Sequence, residues 1–319
     1  MLVPPRPSAL ILVLLAACST GSPAATPSQS AIPSRSSPPE TPEPSPTLPP
    51  GVARIVDMGE PVWGIASTGD TVWVEADDGL HQLDGRSGEE LGSMPGFIPT
   101  VVGDTLWYQR DDELVEADAQ TGEERNVYHP PILGGTIVDD GIYWAASEEE
   151  GVLAKIDLKR NKVLARLRLP EGEPKWVEPW EGTIWVVIDG EDVVVRVDPR
   201  TATVLDTVDA GSRPHSVATG FGSLWITEHA SEEVLRFDPD GHRTAAIFPG
   251  VGINVAITVG NGYVWAATPD GVARIDPATN RVVEQIVLGS GDWYGLAASK
   301  GNLWLTSAEG GVLYQIPMQ

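Results

Sequence analysis

Two residues stand where acid–base chemistry is conceivable. His215 lies ten residues before Trp225, and Glu228 lies three after it. Within one repeat of the chain, His215 falls at the start of a first strand and Glu228 at the end of a second. Antiparallel pairing brings those two ends near one another. A His–carboxylate pair of this kind serves general acid–base catalysis or binds a divalent cation such as Mg or Ca. The same residues at strand ends also read as ordinary solvated loop chemistry. His81, His129, His229 and His242 form no ligand spacing. The sequence contains no nucleotide loop, zinc spacing or nucleophile elbow, so no cofactor beyond such a cation is expected.

A second group of residues is suited to binding. Counting ten residues back from each of seven recurring tryptophans reaches Trp63, Phe97, Gly134, Lys175, His215, Val255 and Tyr294. Trp176 and Trp293 adjoin two of these. Of eleven tryptophans, Trp63, Trp176, Trp180 and Trp293 are not part of the recurrence. Rings gathered in this way would stack a sugar, a flat ring or an apolar peptide side chain. Lys175, Arg110, His215 and Glu228 would supply the polar groups. Arg110, like Glu228, stands three residues after its recurring tryptophan. Alternatively, the rings plug a channel or cover gaps between repeats.

The recurrence itself defines the elements that must hold these residues. Trp73, Trp107, Trp144, Trp185, Trp225, Trp265 and Trp304 each follow a glycine-bearing turn and an apolar residue, at spacings of 34, 37, 41, 40, 40 and 39. A period near forty with strand-type residues throughout predicts an all-β, seven-bladed β-propeller over 51–319, one blade per repeat. In the fifth repeat the alternation of apolar and polar residues predicts strands at 215–219, 223–228, 233–238 and 243–248. The counted positions then start the innermost strands, at one mouth of the central channel. The recurring tryptophans fill the gaps between blades.

A hairpin built on aspartate also recurs, at Asp84, Asp118, Asp157, Asp198, Asp238 and Asp276. These carboxylates are expected to accept backbone N–H bonds in turns. They lie in different blades, too far apart to share an ion. The seventh repeat ends without a fourth strand, and residues 52–58 offer a spare one. The N-terminal segment is therefore expected to form the outer strand of blade seven and close the ring.

The formal charge is −24, with only five lysines. Such a surface repels nucleic acid and anionic lipid headgroups, which excludes nucleic acid as a partner. It also keeps an exported protein soluble. Residues 8–17, SALILVLLAA, form a short apolar run after Arg6. The run reads as a signal-peptide core, too short to span a bilayer. The following Leu15-Ala16-Ala17-Cys18 resembles the bacterial lipobox. Residues 1–17 are thus expected to be a lipoprotein signal peptide, with Cys18 the lipidated residue. As the only cysteine, Cys18 also rules out an intramolecular disulfide. Residues 18–50 are rich in Ser, Thr and Pro, without apolar periodicity, and read as a disordered tether. This places the domain on the outer face of a bacterial cytoplasmic membrane.

The units PHSVATGFGSLWITEHASEEVLRFDP and NVAITVGNGYVWAATPDGVARIDPATNRVV resemble repeats of virginiamycin B lyase-like and YVTN/NHL-type propellers. There is no Trp-Asp dipeptide of the WD40 kind. The lyase resemblance implies metal-assisted elimination by His and Glu residues from neighbouring blades. His215 matches its Pro-His position and Glu228 its Trp-x-x-Glu position. The next blade carries Asn254 or Val255, and Thr268, where that pattern wants further His and Glu. The chain is accordingly expected to be a monomeric, membrane-anchored binding propeller that captures a peptide, glycan or partner protein. A divalent-metal-dependent lyase or hydrolase is the alternative, and a sensor or scaffold subunit of an envelope complex is a third.

Overall fold

The computed structural model describes residues 48–319, apart from 148–149, 171, 251–255, 309 and 319. Within its strands it describes all side chains except those of 135–137, 139, 173, 175 and 189. Cys18, most of the expected tether, Asn254 and Val255 lie outside these residues, as does the side chain of Lys175.

Seven four-stranded antiparallel sheets make up the described chain. Their first strands touch in succession, and that of blade seven meets that of blade one, so the blades form a ring. Blade five has strands at Pro214–Gly220, Ser223–Glu228, Glu233–Phe237 and Arg243–Ile247. These fall within one residue of the positions read from alternation. The sheet of blade seven takes its outer strand from the N-terminal end. Arg54–Asp57 pairs with the last strand in the register Arg54↔Gln315 to Asp57↔Val312. Two further backbone bonds, Ala53 N–H to Gln315 O at 2.8 Å and Met58 N–H to Gly311 O at 2.9 Å, extend the seam.

All seven recurring tryptophans are buried, none more than 7 % exposed. Each sits on a second strand, and a polar side chain stands directly opposite it on the third. In blades three to six this partner is Lys155, Arg196, Arg236 or Arg274. The cations lie 4.7–5.7 Å from the indole centroids, within cation–π range. The tips of Lys155, Arg196 and Arg236 continue into the next blade, while Arg274 pairs with Glu284 of its own blade at 2.9 Å. Lys155 Nζ donates to Pro199 O at 2.5 Å, and Arg196 donates to Pro239 O and Asp240 O at 2.7 Å. Arg236 donates to Pro277 O at 2.7 Å and Asn280 Oδ1 at 2.8 Å. In blades one and seven an amide does the same work. Gln82 donates to Gln120 O at 2.5 Å, and Gln315 donates to Arg86 O at 2.6 Å.

The accepting carbonyls belong to the recurrent aspartate turns. Asp84 accepts N–H bonds from Arg86 and Ser87, Asp118 from Gln120 and Thr121, and Asp238 from Asp240 and His242. Backbone donors hold these carboxyls below the usual range. The carboxylate fixes the turn, and the fixed turn aims its carbonyls at the preceding blade.

Replacing Arg236 by Ala removes the cation from Trp225 and leaves the Pro277 carbonyl without this donor. Denaturant unfolding should show a loss of roughly 2 kcal/mol at unchanged m-value. A loss under about 0.5 kcal/mol, the range of neutral surface changes, would show that this contact does not hold blades five and six together.

Candidate binding site at the channel mouth

The first strands do not pair evenly with the second strands. In blades one, five and seven the register slips near the start of the strand, between Val62 and Ile65, Pro214 and Val217, and Trp293 and Leu296. In blade four it slips between Pro174 and Trp176. The residues inside these bulges include Trp63, Lys175, His215 and Tyr294, all counted from the tryptophan period. A bulge adds a residue, bends the strand and re-aims a side chain. Here the irregularities occur at corresponding ends of the first strands, around one mouth of the ring.

Polar side chains two residues after the recurring tryptophans hold the bulged segments in place. Thr306 accepts the Gly295 N–H at 2.7 Å and donates to Trp63 O at 3.2 Å, joining blades seven and one. Glu75 accepts the Ile98 N–H at 3.0 Å, joining blades one and two. Gln109 donates to Gly134 O at 2.9 Å, joining blades two and three. A Cβ on Gly64 would lie 2.6 Å from Glu75 Oε2, so the approach of this carboxylate requires glycine there. Burial raises the Glu75 pKa, and its bonds from Ile98 and Gly64 oppose the rise.

Trp63 and Tyr294 meet edge to face, 5.6 Å between centroids at 85°. The Trp63 indole donates to Asp77 Oδ1 at 2.8 Å. Beside them lies a cleft of about 340 Å³, lined by Trp63, Glu75, Asp77, Asp78, Gly96 and Phe97 among others. Phe97 is 37 % and Tyr294 42 % exposed. Of the residues expected to bind ligand, Trp63, Phe97 and Tyr294 thus gather where blades seven, one and two meet. Trp176 is 46 % exposed on blade four.

Other expected residues have different surroundings. Trp293 is 5 % exposed, packs edge-on against Tyr314 at 5.2 Å and donates to Pro269 O. Trp180 is buried against Trp185 at 5.7 Å. Both are core residues. Arg110 pairs with Glu113 at 2.8 Å and with Glu124 of the outer strand at 2.6 Å, across the face of its own blade. These partners raise its pKa further above an already high value. It is directed along the sheet of blade two and away from the strand starts.

His215 and Glu228 also occupy distinct niches. The bulge sets Glu228 opposite Pro214, one residue before the histidine. The Glu228 side chain is buried, and its carboxylate accepts N–H bonds from Ser212 at 2.6 Å and Ser231 at 3.3 Å, and a hydroxyl bond from Ser231. It ties its own loops together. A Cβ on Gly211 would meet Glu228 Cγ at 2.9 Å, so this packing requires glycine as well. The His215 Nδ1 lies 3.0 Å from the Ser216 hydroxyl. Among the described residues, no group of three or more His, Cys, Asp or Glu side chains is placed to hold a metal ion.

Two titratable groups have surroundings that the repeat pattern does not announce. Glu178 sits on the first strand of blade four, opposite Trp185, and accepts the Thr219 hydroxyl of blade five at 2.9 Å. Burial pushes its pKa up to about 7. The corresponding positions of blades one, two, five, six and seven are Ala66, Thr100, Ala218, Thr258 and Ala297. A lone acid in that column was the signal available. His81 is buried, with Nε2 2.7 Å from Asp78 and Nδ1 2.8 Å from Glu90. Burial opposes its charge, but the two carboxylates outweigh it and raise the pKa.

No protein-family model and no curated protein matches the chain. Solved structures do. Virginiamycin B lyase from Staphylococcus aureus superposes with a TM-score of 0.67 at 13 % identity, covering 83 % of this chain and 99 % of that one. A streptogramin B lyase gives 0.67 at 16 %, covering 84 % and 96 %. BamB from Moraxella catarrhalis gives 0.54 at 14 %, covering 80 % and 84 %. The likeness is one of fold. It agrees with the seven-bladed ring predicted from the tryptophan period.

Both titratable groups bind a proton more tightly in the folded state, so each makes the fold less stable as pH rises. Glu178 binds its proton more tightly when folded, so its burial weakens the fold as pH rises from 4.5 towards 7. Glu178→Gln should match the parent near pH 4 and exceed it by roughly 2–3 kcal/mol at pH 8. His81 contributes fully below its ordinary pKa, and the contribution fades as pH rises through the raised folded value. His81→Gln should therefore be about 1 kcal/mol less stable at pH 5.5, with the difference shrinking at alkaline pH. Thermal unfolding across pH 4–9 reads both; a pH-independent difference in either would refute the assigned ionisation.

Proposed function

We propose that this protein is a membrane-anchored extracytoplasmic binding protein whose propeller captures a peptide, glycan or partner protein at the aromatic mouth. The observation that carries the reading is the Trp63–Tyr294 pair, set on two bulges beside an open cleft. Rings held edge to face keep a fixed shape, so a ligand meets a surface already organised for stacking. The bulges and their interblade ties place effort in the position of these rings that packing alone does not require. The apolar run before Cys18 supports export, and the lipobox-like segment supports a lipid anchor there.

A divalent-metal-dependent lyase or hydrolase is the second reading. Its specific support is the fold likeness to two lyases, together with His215 on a bulge at the same mouth. The engagement of Glu228 by Ser212 and Ser231 weighs against that carboxylate acting as a free base.

Two experiments separate the readings. Trp63→Ala and Tyr294→Ala should each weaken capture of a ligand found by glycan or peptide array by about tenfold or more, while His215→Ala leaves it intact. If His215→Ala abolishes turnover of a substrate while its binding persists, the enzyme reading replaces the binding one. For the anchor, metabolic labelling with a fatty acid should mark the parent and not Cys18→Ala; equal labelling would place the lipid elsewhere.

A further inference from the structure

The cleft beside Trp63 has a chemical bias that narrows its ligand. Its lining combines the aromatic residues Trp63 and Phe97 with the acidic residues Glu75, Asp77 and Asp78. No lysine or arginine lines it. Asp77 is held by the Trp63 indole, which fixes a carboxylate beside an aromatic ring. Its hydrogen-bonded partner His81 keeps Asp78 below the ordinary carboxylate range. An aromatic face next to fixed carboxylates is how proteins receive a cationic side chain, since the ring quadrupole and the carboxylates attract the same charge. A neutral sugar could stack on the ring and donate to the carboxylates but brings no opposite charge, and an acidic or phosphorylated ligand would be repelled.

The volume agrees with that ligand. About 340 Å³ accommodates one long side chain with its flanking backbone. The cleft opens at the junction of blades one and two, so a peptide lying across the mouth can pass its backbone over Tyr294 while one side chain descends. The chain already uses this chemistry internally, where Lys155, Arg196, Arg236 and Arg274 cover the recurring indoles. Trp63 lies outside that series and at the mouth.

Resting on the binding reading above, we propose that this cleft takes the guanidinium or ammonium side chain of a basic peptide segment, stacked on Trp63 and paired with Asp77 and Asp78. The ligand would therefore be a peptide or protein with an exposed Arg or Lys.

The test uses the full chain and blocked peptides Gly-Ser-Arg-Ser-Gly and Gly-Ser-citrulline-Ser-Gly. Citrulline keeps the shape of arginine and removes its charge. Binding is followed through the Trp63 indole N–H resonance, assigned by its loss in Trp63→Phe, at a salt concentration near 0.15 M that screens the general surface field. The arginine peptide should bind at least about tenfold more tightly than its citrulline twin. The double variant Asp77→Asn/Asp78→Asn should lose about tenfold, because Asn at 77 retains an acceptor for the indole while removing the charge. Glu89→Gln, an exposed acid in a turn outside the cleft, should lose nothing. Equal shifts by both peptides would overturn the cation inference and leave the aromatic mouth standing. No shift by the arginine peptide would overturn it too, and a neutral glycan or apolar peptide that does shift Trp63 would preserve the broader reading. Binding of the arginine peptide that survives Trp63→Ala and Tyr294→Ala unchanged would remove both.

Discussion

The ring depends on one contact that recurs in blades one, three, four, five and seven. A buried indole lies under a cation or amide, and the tip of that side chain caps carbonyls in the next blade. Burial of the ring supplies apolar free energy, while the polar tip gives direction to an interface that apolar packing alone would leave free to slide. The arrangement also satisfies turn carbonyls that the hairpins do not use internally. It requires the turn to be rigid, which is why the aspartate carboxylate at each hairpin is as much part of the interface as the tryptophan.

With the blades fixed on their outer halves by these stitches, the inner strands are able to deviate. Bulges open where the first strands begin, and the displaced backbone is held by side chains reaching in from the second strands. The mouth is therefore both irregular and anchored. Its rings are presented by bulged strands on a stiff frame, the combination expected of a recognition surface. The channel mouth and the stitches draw on different residues of the same repeat, so the mouth can vary without loosening the ring.

The tryptophan period gave the architecture away because each blade must bury the same large ring against its neighbour. Counting back by ten reaches Trp63, His215 and Tyr294, each inside a bulge, because a bulge at a constant register follows from a constant blade. Trp293, one residue before Tyr294, is buried instead, because the side-chain direction reverses at each residue of a strand. Arg110 is turned along its own blade for a related reason. Spacing from Trp107 fixed its place on the strand, but its partner Glu124 lies on the outer strand and drew it outward. Glu178 and Glu75 went unnoticed because each is a single deviation from the repeat, and periodicity rewards what recurs. Their burial depends on neighbouring blades, which no local pattern announces.

The seam between Arg54–Asp57 and the last strand joins residues more than 250 positions apart. During synthesis the first of these leaves the ribosome long before the second exists. Blades one to six can assemble in order as they emerge, each docking on its predecessor. The seventh cannot be completed until Val312–Pro317 has been made, and until then the N-terminal strand has no partner and the inner ring stays open. Ring closure is thus the last folding event by position in the chain, and the completed domain inherits its order of assembly from one displaced strand.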